Sequence, residues 1–243
     1  MAMPRIHAMR ALAWGATGIN VIIFAKWHLN DLPASVPGDP RTLQRRMAVA
    51  KHRQYMYDNY TLSKRNIDEG RWKTMITSAF SHRDVGHLLV NMFMLHQATQ
   101  IATFVGMGPL RWSMLALGSA VGGSLGSLYD SAEMAKLGER DAPGLGASGM
   151  VQGMLVATVR AAPYLPMHVF FIPVAISYRT VVLGFIAYDM YNLAQQRAAG
   201  QRKKSWMTGS FVGYAAHLGG AAFGFLFYSL AFRRGRMPPF GRR

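Results

Sequence analysis

Three short strings in this sequence hold side chains whose types and spacing suit a hydrolytic site. Gly146-Ala147-Ser148-Gly149 offers a serine and Ala216-His217-Leu218-Gly219-Gly220 a histidine, while His87 and Asn91 stand at i and i+4 with His82 a turn and a little further back. On a helix, i and i+4 share a face. A serine hydroxyl is a poor nucleophile until a positioned base removes its proton, and a neutral imidazole suits that task near neutral pH. If the strings converge, His217 is the base and then the acid that protonates the leaving amine. The tetrahedral oxyanion needs preorganised donors, which would be the Ser148 backbone N–H at a helix start and the side chains of Asn91 and His87. Gly146 and Gly149 allow close backbone approach on both sides of the nucleophile. Among acidic residues only Asp189 falls in an apolar segment. Nothing in the sequence obviously aims it at His217, so a Ser148–His217 dyad is expected.

Each string also has a plainer explanation. Gly149 and Gly153 form a small-xxx-small pair that would serve helix packing alone, and His217, His87 and Asn91 could be interhelical hydrogen-bonding groups. What favours chemistry is their joint occurrence, in order, at the ends or middles of separate apolar segments.

Those segments come from the charge pattern. The chain has 243 residues, 27 Lys+Arg against 11 Asp+Glu, a formal net charge of +16, and 51% hydrophobic residues, which excludes intrinsic disorder and collagen-like repeats. With no Cys, disulfides, Cys-ligated zinc and a thiol nucleophile are excluded. A charge of +16 would suit nucleic acid if it were interleaved along helices. Instead residues 85–110, 112–129, 142–159, 161–178 and 205–232 carry no Asp, Glu, Lys or Arg. A bilayer crossing of about 30 Å needs roughly 20 apolar residues. The pattern therefore predicts an all-α, polytopic membrane protein and no nucleic-acid partner.

Six spans are expected: residues 11–27, 85–104, 112–129, 148–162, 175–193 and 206–232. The whole chain, 1–243, reads as one membrane domain with a basic N-terminus (1–10), a long polar first loop (28–72) and a basic tail (233–243). Pro163, Pro166 and Pro173 predict an irregular approach to the fifth span. His217, Gly220 and Gly224 share one face of the sixth span, Gly149 and Gly153 offer a flat face on the fourth, and Gly118, Gly122 and Gly126 do the same for the third.

In this order the motifs resemble the rhomboid family of intramembrane serine proteases: Ser81-His82 followed by His87-Leu88-Leu89-Val90-Asn91-Met92, then Gly146-Ala147-Ser148-Gly149, then Ala216-His217-Leu218-Gly219-Gly220 with Gly224. The resemblance covers residues 18–232 and is nearest to mitochondrial inner-membrane rhomboids through residues 215–221 and 172–189. It implies a six-helix rhomboid-like transmembrane bundle, Ser148 and His217 as catalytic residues, and an oxyanion hole of His87, Asn91 and the Ser148 N–H. Gly146, Gly149 and His82 would support the motif. It further implies transmembrane protein substrates in a lipid bilayer and neither cofactor nor metal. Two departures stand out. Mitochondrial members typically add a helix before the six-span core, which is not expected here. The position four after the serine, often aromatic in bacterial members, is Gln152, so no aromatic neighbour for His217 is expected from that position.

Two rival functions remain from the sequence. One is a catalytically silent relative that binds transmembrane clients, although such chains lack the serine or the histidine. The other is a small channel or transporter lined by Ser, His and Asn, against which no inverted hydropathy repeat is visible. A metalloprotease is weaker still, for no H-E-x-x-H occurs. Ten basic residues (Arg5, Arg10, Arg111, Arg160, Arg179 and five tail arginines) fall on the N-terminal side, and the others of the 27 lie opposite. The positive-inside rule then puts the long loop and the Ser148 end in the cytosol-like compartment. Arg5, His7 and Arg10, with no acid before Asp31, are compatible with a mitochondrial address.

Overall fold

In the computed structural model, residues 2–29, 40–167, 174–202 and 211–231 are described. Helix α1 (Ala2–His28) is one continuous helix, so the residues expected as a separate basic N-terminus form its first turns. Met9, Ala13, Ala16, Asn20, Ile23 and Trp27 are buried at alternating spacings of four and three, which makes one face. The opposite face exposes Trp14, Ile19 and Ile22. A helix apolar on both faces is suited to protein on one side and lipid on the other. Among the described residues, the stretch Met3–His28 is the one helix long and apolar enough to cross a membrane by length and composition.

From residue 40 on, the long first loop is largely helical. It contains α2 (Pro40–Tyr60) and α3 (Lys64–Asp68), the latter capped where Ser63 Oγ accepts the Asn66 N–H at 3.1 Å. A short α4 (Thr74–Thr77) and a 3₁₀ turn (Ser78–Phe80) lead to α5 (Val85–Phe104). Asp84 starts α5 by accepting the His87 N–H at 2.6 Å. After Gly108, Pro109 occupies the first position of α6 (Pro109–Lys136), where its missing N–H costs nothing. Helix α7 (Ser148–Val159) follows, then a small antiparallel pair, β1 (Pro166–Met167) with β2 (Ile176–Ser177). The chain continues through α8 (Tyr178–Ala199), stopped by Gly200 in the left-handed region at φ 60°, to α9 (Tyr214–Ala231).

The helices α1, α5, α6, α7, α8 and α9 correspond to the six expected apolar segments. The bounds differ both ways: α6 continues beyond Tyr129 through Asp130 and Glu133, and α8 beyond Leu193, whereas α7 stops at Val159, short of 162, and α8 and α9 begin only at Tyr178 and Tyr214. Pro33, Pro37, Ile172, Pro173, Trp206 and the tail arginines lie outside the described residues.

Helix α7 is the hub. Every residue from Gly149 to Thr158 is buried, and the neighbours reach it through glycines. A Cβ at Gly220 would overlap the carbonyl oxygen of Gly149, and one at Gly224 that of Gly153, so α9 lies on α7 backbone to backbone. On the other flank of α9, a Cβ at Gly126 would overlap the Ala215 carbonyl and one at Gly219 the Gly122 carbonyl of α6. These are the glycine faces the sequence predicts for the third, fourth and sixth spans. The outer helices pack differently: α1 lies against α5, and α8 rests chiefly on α9 and less on α7.

Candidate active site

Helix α7 begins at Ser148, and the loop before it is held from three directions. Leu62 and Gly144 exchange backbone hydrogen bonds at 2.8 Å, the Gly146 N–H donates to the Ser78 carbonyl at 2.9 Å, and the Ala147 N–H donates to His82 Nε2 at 3.3 Å. An accepting Nε2 places the proton of this fully buried imidazole on Nδ1. His82 is thus a strut for the serine loop. Gly146 sits at φ 125°, a conformation that side chains disfavour, and a Cβ there would come 2.6 Å from the Cε1 atom of His87. No other residue meets both demands. As the first residue of α7, Ser148 also has a backbone N–H for which the helix supplies no acceptor.

His217 lies in the first turn of α9, and the glycine contacts bring that turn against the start of α7. Its Nε2 is 2.8 Å from Ser148 Oγ. On the other side of the ring, Nδ1 is 2.9 Å from Asp189 Oδ1 of α8. A carboxylate only accepts, so Nδ1–H donates to Asp189 and Nε2 keeps the lone pair that receives the Ser148 hydroxyl proton. To the Ser148–His217 pair expected from the sequence, the structure adds a contact with Asp189. Asp189 is buried at 4% exposure, and the rotation of α8 about its axis aims it at the imidazole. The hydrogen-bonded chain Ser148–His217–Asp189 joins three helices in the order and tautomer that general-base activation of a hydroxyl requires.

His87 stands in the first turn of α5, against Gly146 and with its ring 4.8 Å from that of His82. Asn91 follows one turn on, buried, with Nδ2 donating to the His87 carbonyl at 2.9 Å. Its second amide hydrogen is not used in that bond. Gly149 faces the Ala216 carbonyl and the Cα of Gly123, so it belongs to the packing beneath the serine. Gln152 is buried, and its Nε2 has no hydrogen-bond partner. His217 nonetheless has an aromatic neighbour, which comes from its own helix: the Tyr214 ring is 6.5 Å away at an interplanar angle of 88°. The spacing of three on a helix could have shown it.

Comparison with known proteins places this architecture. Residues 69–234, more than half of the chain, match the Rhomboid domain. The chain belongs to the rhomboid family of intramembrane proteases and is a membrane protein. It is similar to "RHOMBOID-like protein 12, mitochondrial" of Arabidopsis thaliana, with 34% identity over 185 residues, 70% of this chain and 50% of that one. It is also similar to "Rhomboid protein 1, mitochondrial" of Saccharomyces cerevisiae, with 34% identity over 219 residues, 89% of this chain and 52% of the relative. With "Presenilin-associated rhomboid-like protein A, mitochondrial" of Danio rerio it shares 31% over 152 residues, 62% of this chain and 35% of that one. The chain spans about half the length of the first two relatives.

Proposed function

We propose that this protein is an intramembrane serine endopeptidase that cleaves transmembrane segments of other proteins, built as a single membrane domain of six spans formed by α1, α5, α6, α7, α8 and α9. The observation that carries the reading is the continuous hydrogen-bonded chain from Ser148 through His217 to Asp189, at 2.8 and 2.9 Å.

In this mechanism Ser148 Oγ attacks the scissile carbonyl as its proton passes to His217 Nε2. Asp189 holds the imidazole in place and offsets the charge of the imidazolium that forms. The oxyanion takes hydrogen bonds from the Ser148 N–H and from the side chains of Asn91 and His87. Collapse breaks the C–N bond, and His217 returns its proton to the leaving amine. Water then enters by the same general-base step and releases the acyl group from Ser148. At 1.5 Å per residue, the 12 residues of α7 span roughly 18 Å. That is well short of a hydrocarbon core of about 30 Å, so a centrally placed α7 puts Ser148 below the membrane surface, where a transmembrane segment reaches it from the side. The word "mitochondrial" in the names of the three relatives supports a mitochondrial membrane as the location, and the sequence resemblance points to the inner one.

A catalytically silent client-binding protein would not need a serine within hydrogen-bonding distance of a histidine whose other nitrogen meets a buried carboxylate. A channel lined by the same groups would not need them locked together. The test is labelling of the purified protein with a serine-directed fluorophosphonate, alongside cleavage of a single-span substrate in proteoliposomes. Ser148→Ala should abolish both and His217→Ala should nearly do so. Undiminished labelling of Ser148→Ala would overturn the assignment.

A further inference from the structure

Catalysis needs the His217 imidazole in one place through a whole cycle, and its two hydrogen bonds do not secure that. Ser148 Oγ lies 2.8 Å from Nε2 and Asp189 Oδ1 lies 2.9 Å from Nδ1. The first bond ends when the serine is acylated. The second depends on α8, a helix at the edge of the bundle that rests chiefly on α9. A support that outlasts both changes has to ride on α9 with the histidine. Resting on the serine-protease reading above, we propose that Tyr214 is a positioning residue for His217: its ring keeps the imidazole in the rotamer that serves Ser148 when the hydroxyl or the carboxylate bond is absent.

Tyr214 is the first residue of α9, and His217 follows three positions on, so the two share a face. The ring centroids are 6.5 Å apart at an interplanar angle of 88°. That is an edge-to-face pair, within the range of about 4.5–7 Å over which such rings attract. Both rings stand on one rigid turn, since the His217 N–H donates to the Gly213 carbonyl at 3.1 Å and Gly220 and Gly224 seat the same helix on α7. The contact is therefore indifferent to where α8 lies.

Tyr214 is itself held. It is 4% exposed although it begins a helix, and the Tyr188 ring of α8 meets it at 6.0 Å and 72°. Tyr188 directly precedes Asp189, so α8 reaches the histidine twice, through the carboxylate and through the pair of tyrosines. The α7 position one turn beyond the serine, Gln152, has no ring to offer. An aromatic side chain there would stay with the nucleophile, whereas one at 214 stays with the base.

The test uses the full-length protein in proteoliposomes with a single-span substrate. Values of kcat and KM are separated, fluorophosphonate labelling of Ser148 is timed in parallel, and the unfolding temperature is recorded for each variant. Tyr214→Leu should lower kcat about two- to tenfold, the range of one aromatic pair, with KM little changed. Tyr214→Phe keeps the ring and should recover the rate. The decisive measurement is the double-mutant cycle with Asp189→Asn, read on the labelling rate. Tyr214→Leu should cost several-fold more in that background than in the parent, because two supports of one ring stand in for each other. A tyrosine that merely packs would lower the unfolding temperature and leave the two losses to multiply independently. Should Tyr214→Leu fail to fold, Tyr214→Met, also without a ring, takes its place in the same cycle. An unchanged kcat in the ringless variant, or losses that simply multiply, would overturn the proposal. Labelling in the parent that depends on Ser148 checks the protease reading by itself. Without it that reading falls, whereas labelling retained with no coupling between positions 214 and 189 removes the role of Tyr214 alone.

Discussion

Replacing Asp189 with asparagine tests the step the sequence leaves open. The carboxylate sits 2.9 Å from His217 Nδ1 and is 4% exposed, so neither bulk water nor salt substitutes for it. A hydrogen bond with one ionised partner contributes about 1.5–3 kcal/mol. The imidazolium exists only in and after proton transfer, so this contribution belongs to the transition state. Converted at about 1.4 kcal/mol per decade, it is a loss of roughly 10- to 150-fold in kcat. The loss deepens toward about 10⁴ if the amide turns its N–H₂ toward Nδ1 and forces the wrong tautomer, as occurs for the corresponding change in a soluble serine protease. The assay is cleavage of a single-span substrate in proteoliposomes, with kcat and KM separated and fluorophosphonate labelling run in parallel. We expect kcat and the labelling rate to fall together while KM stays within about twofold, since Asp189 acts through His217. Asp189→Glu should recover part of the rate. If Asp189→Asn folds and cleaves within threefold of the parent, the carboxylate is a packing group and the reasoning fails.

Asn91→Ala should lower turnover by about 10² to 10³ with little change in melting temperature, and His87→Ala should fall in that range or somewhat below. Cleavage within twofold of the parent for both would reduce α5 to a packing helix. Gly220→Ala should cost both stability and activity, about 1–3 kcal/mol of the former, because the added methyl overlaps the Gly149 carbonyl and parts α7 from α9. A differential scanning measurement showing no loss would refute that packing. Phe185→Ala in α8 should lower thermal stability while preserving or raising cleavage. A cysteine pair linking α8 to α5, in a chain with no native Cys, should block a transmembrane substrate, and unchanged cleavage after crosslinking would place the entry elsewhere.

Much of the bundle is legible in the sequence because its determinants are local. Charge-free segments mark the helices of the bundle, and the spacing of glycines marks the faces that meet as Gly220 on Gly149 and Gly224 on Gly153, although not the contact of Gly219 with Gly122. Ser148, His217, His87 and Gly146 are legible for the same reason, each standing at a helix end or beside a glycine with a definite backbone task. Helix α2 is missed because its apolar residues are interleaved with charges and a search for apolar spans reads it as linker. Yet its Arg, Gln, Met, Ala and Lys are strong helix formers. Asp189 is passed over in favour of a dyad because its partner is 28 residues away on another helix. Which face of α8 turns inward is obscured by Leu183, Tyr188, Met190 and Tyr191, large apolar or aromatic side chains that the helix exposes outward. In a membrane protein the hydrophobic pattern does not point to the core.

The same helix carries the residue that meets His217 and lies at the edge of the bundle, chiefly against α9. Near its start α8 is well held: the Tyr178 hydroxyl hydrogen-bonds with Thr158 Oγ1 and the Leu155 carbonyl, both at 2.7 Å, and Val181 and Val182 are buried. Further on, one face is open, with nothing within 4 Å of a Cβ at Gly184, while Phe185 and Ile186 pack on the core and Asp189 is buried. At its far end the tie to α6 is ionic, Arg197 to Asp130 at 3.4 Å and Arg202 to Asp130 at 4.0 Å. Arg202 also donates to Ser131 Oγ at 3.1 Å, and the shared carboxylate of Asp130 is buried. If α8 swings aside for a substrate about its apolar Tyr178 end, these polar ties are the ones that must part. Ser148 opens toward that same end, because α6 and α8 finish, and α7 begins, on one side of the bundle. A swing about Tyr178 carries Asp189 away from His217 and loosens the imidazole while the site is open. Only with α8 returned over a bound segment is the base held again in the tautomer that attack by Ser148 requires. On this view the crosslinked α8 should keep its fluorophosphonate labelling while losing the transmembrane substrate. Loss of both together would show that the link distorts the site rather than closing its entrance.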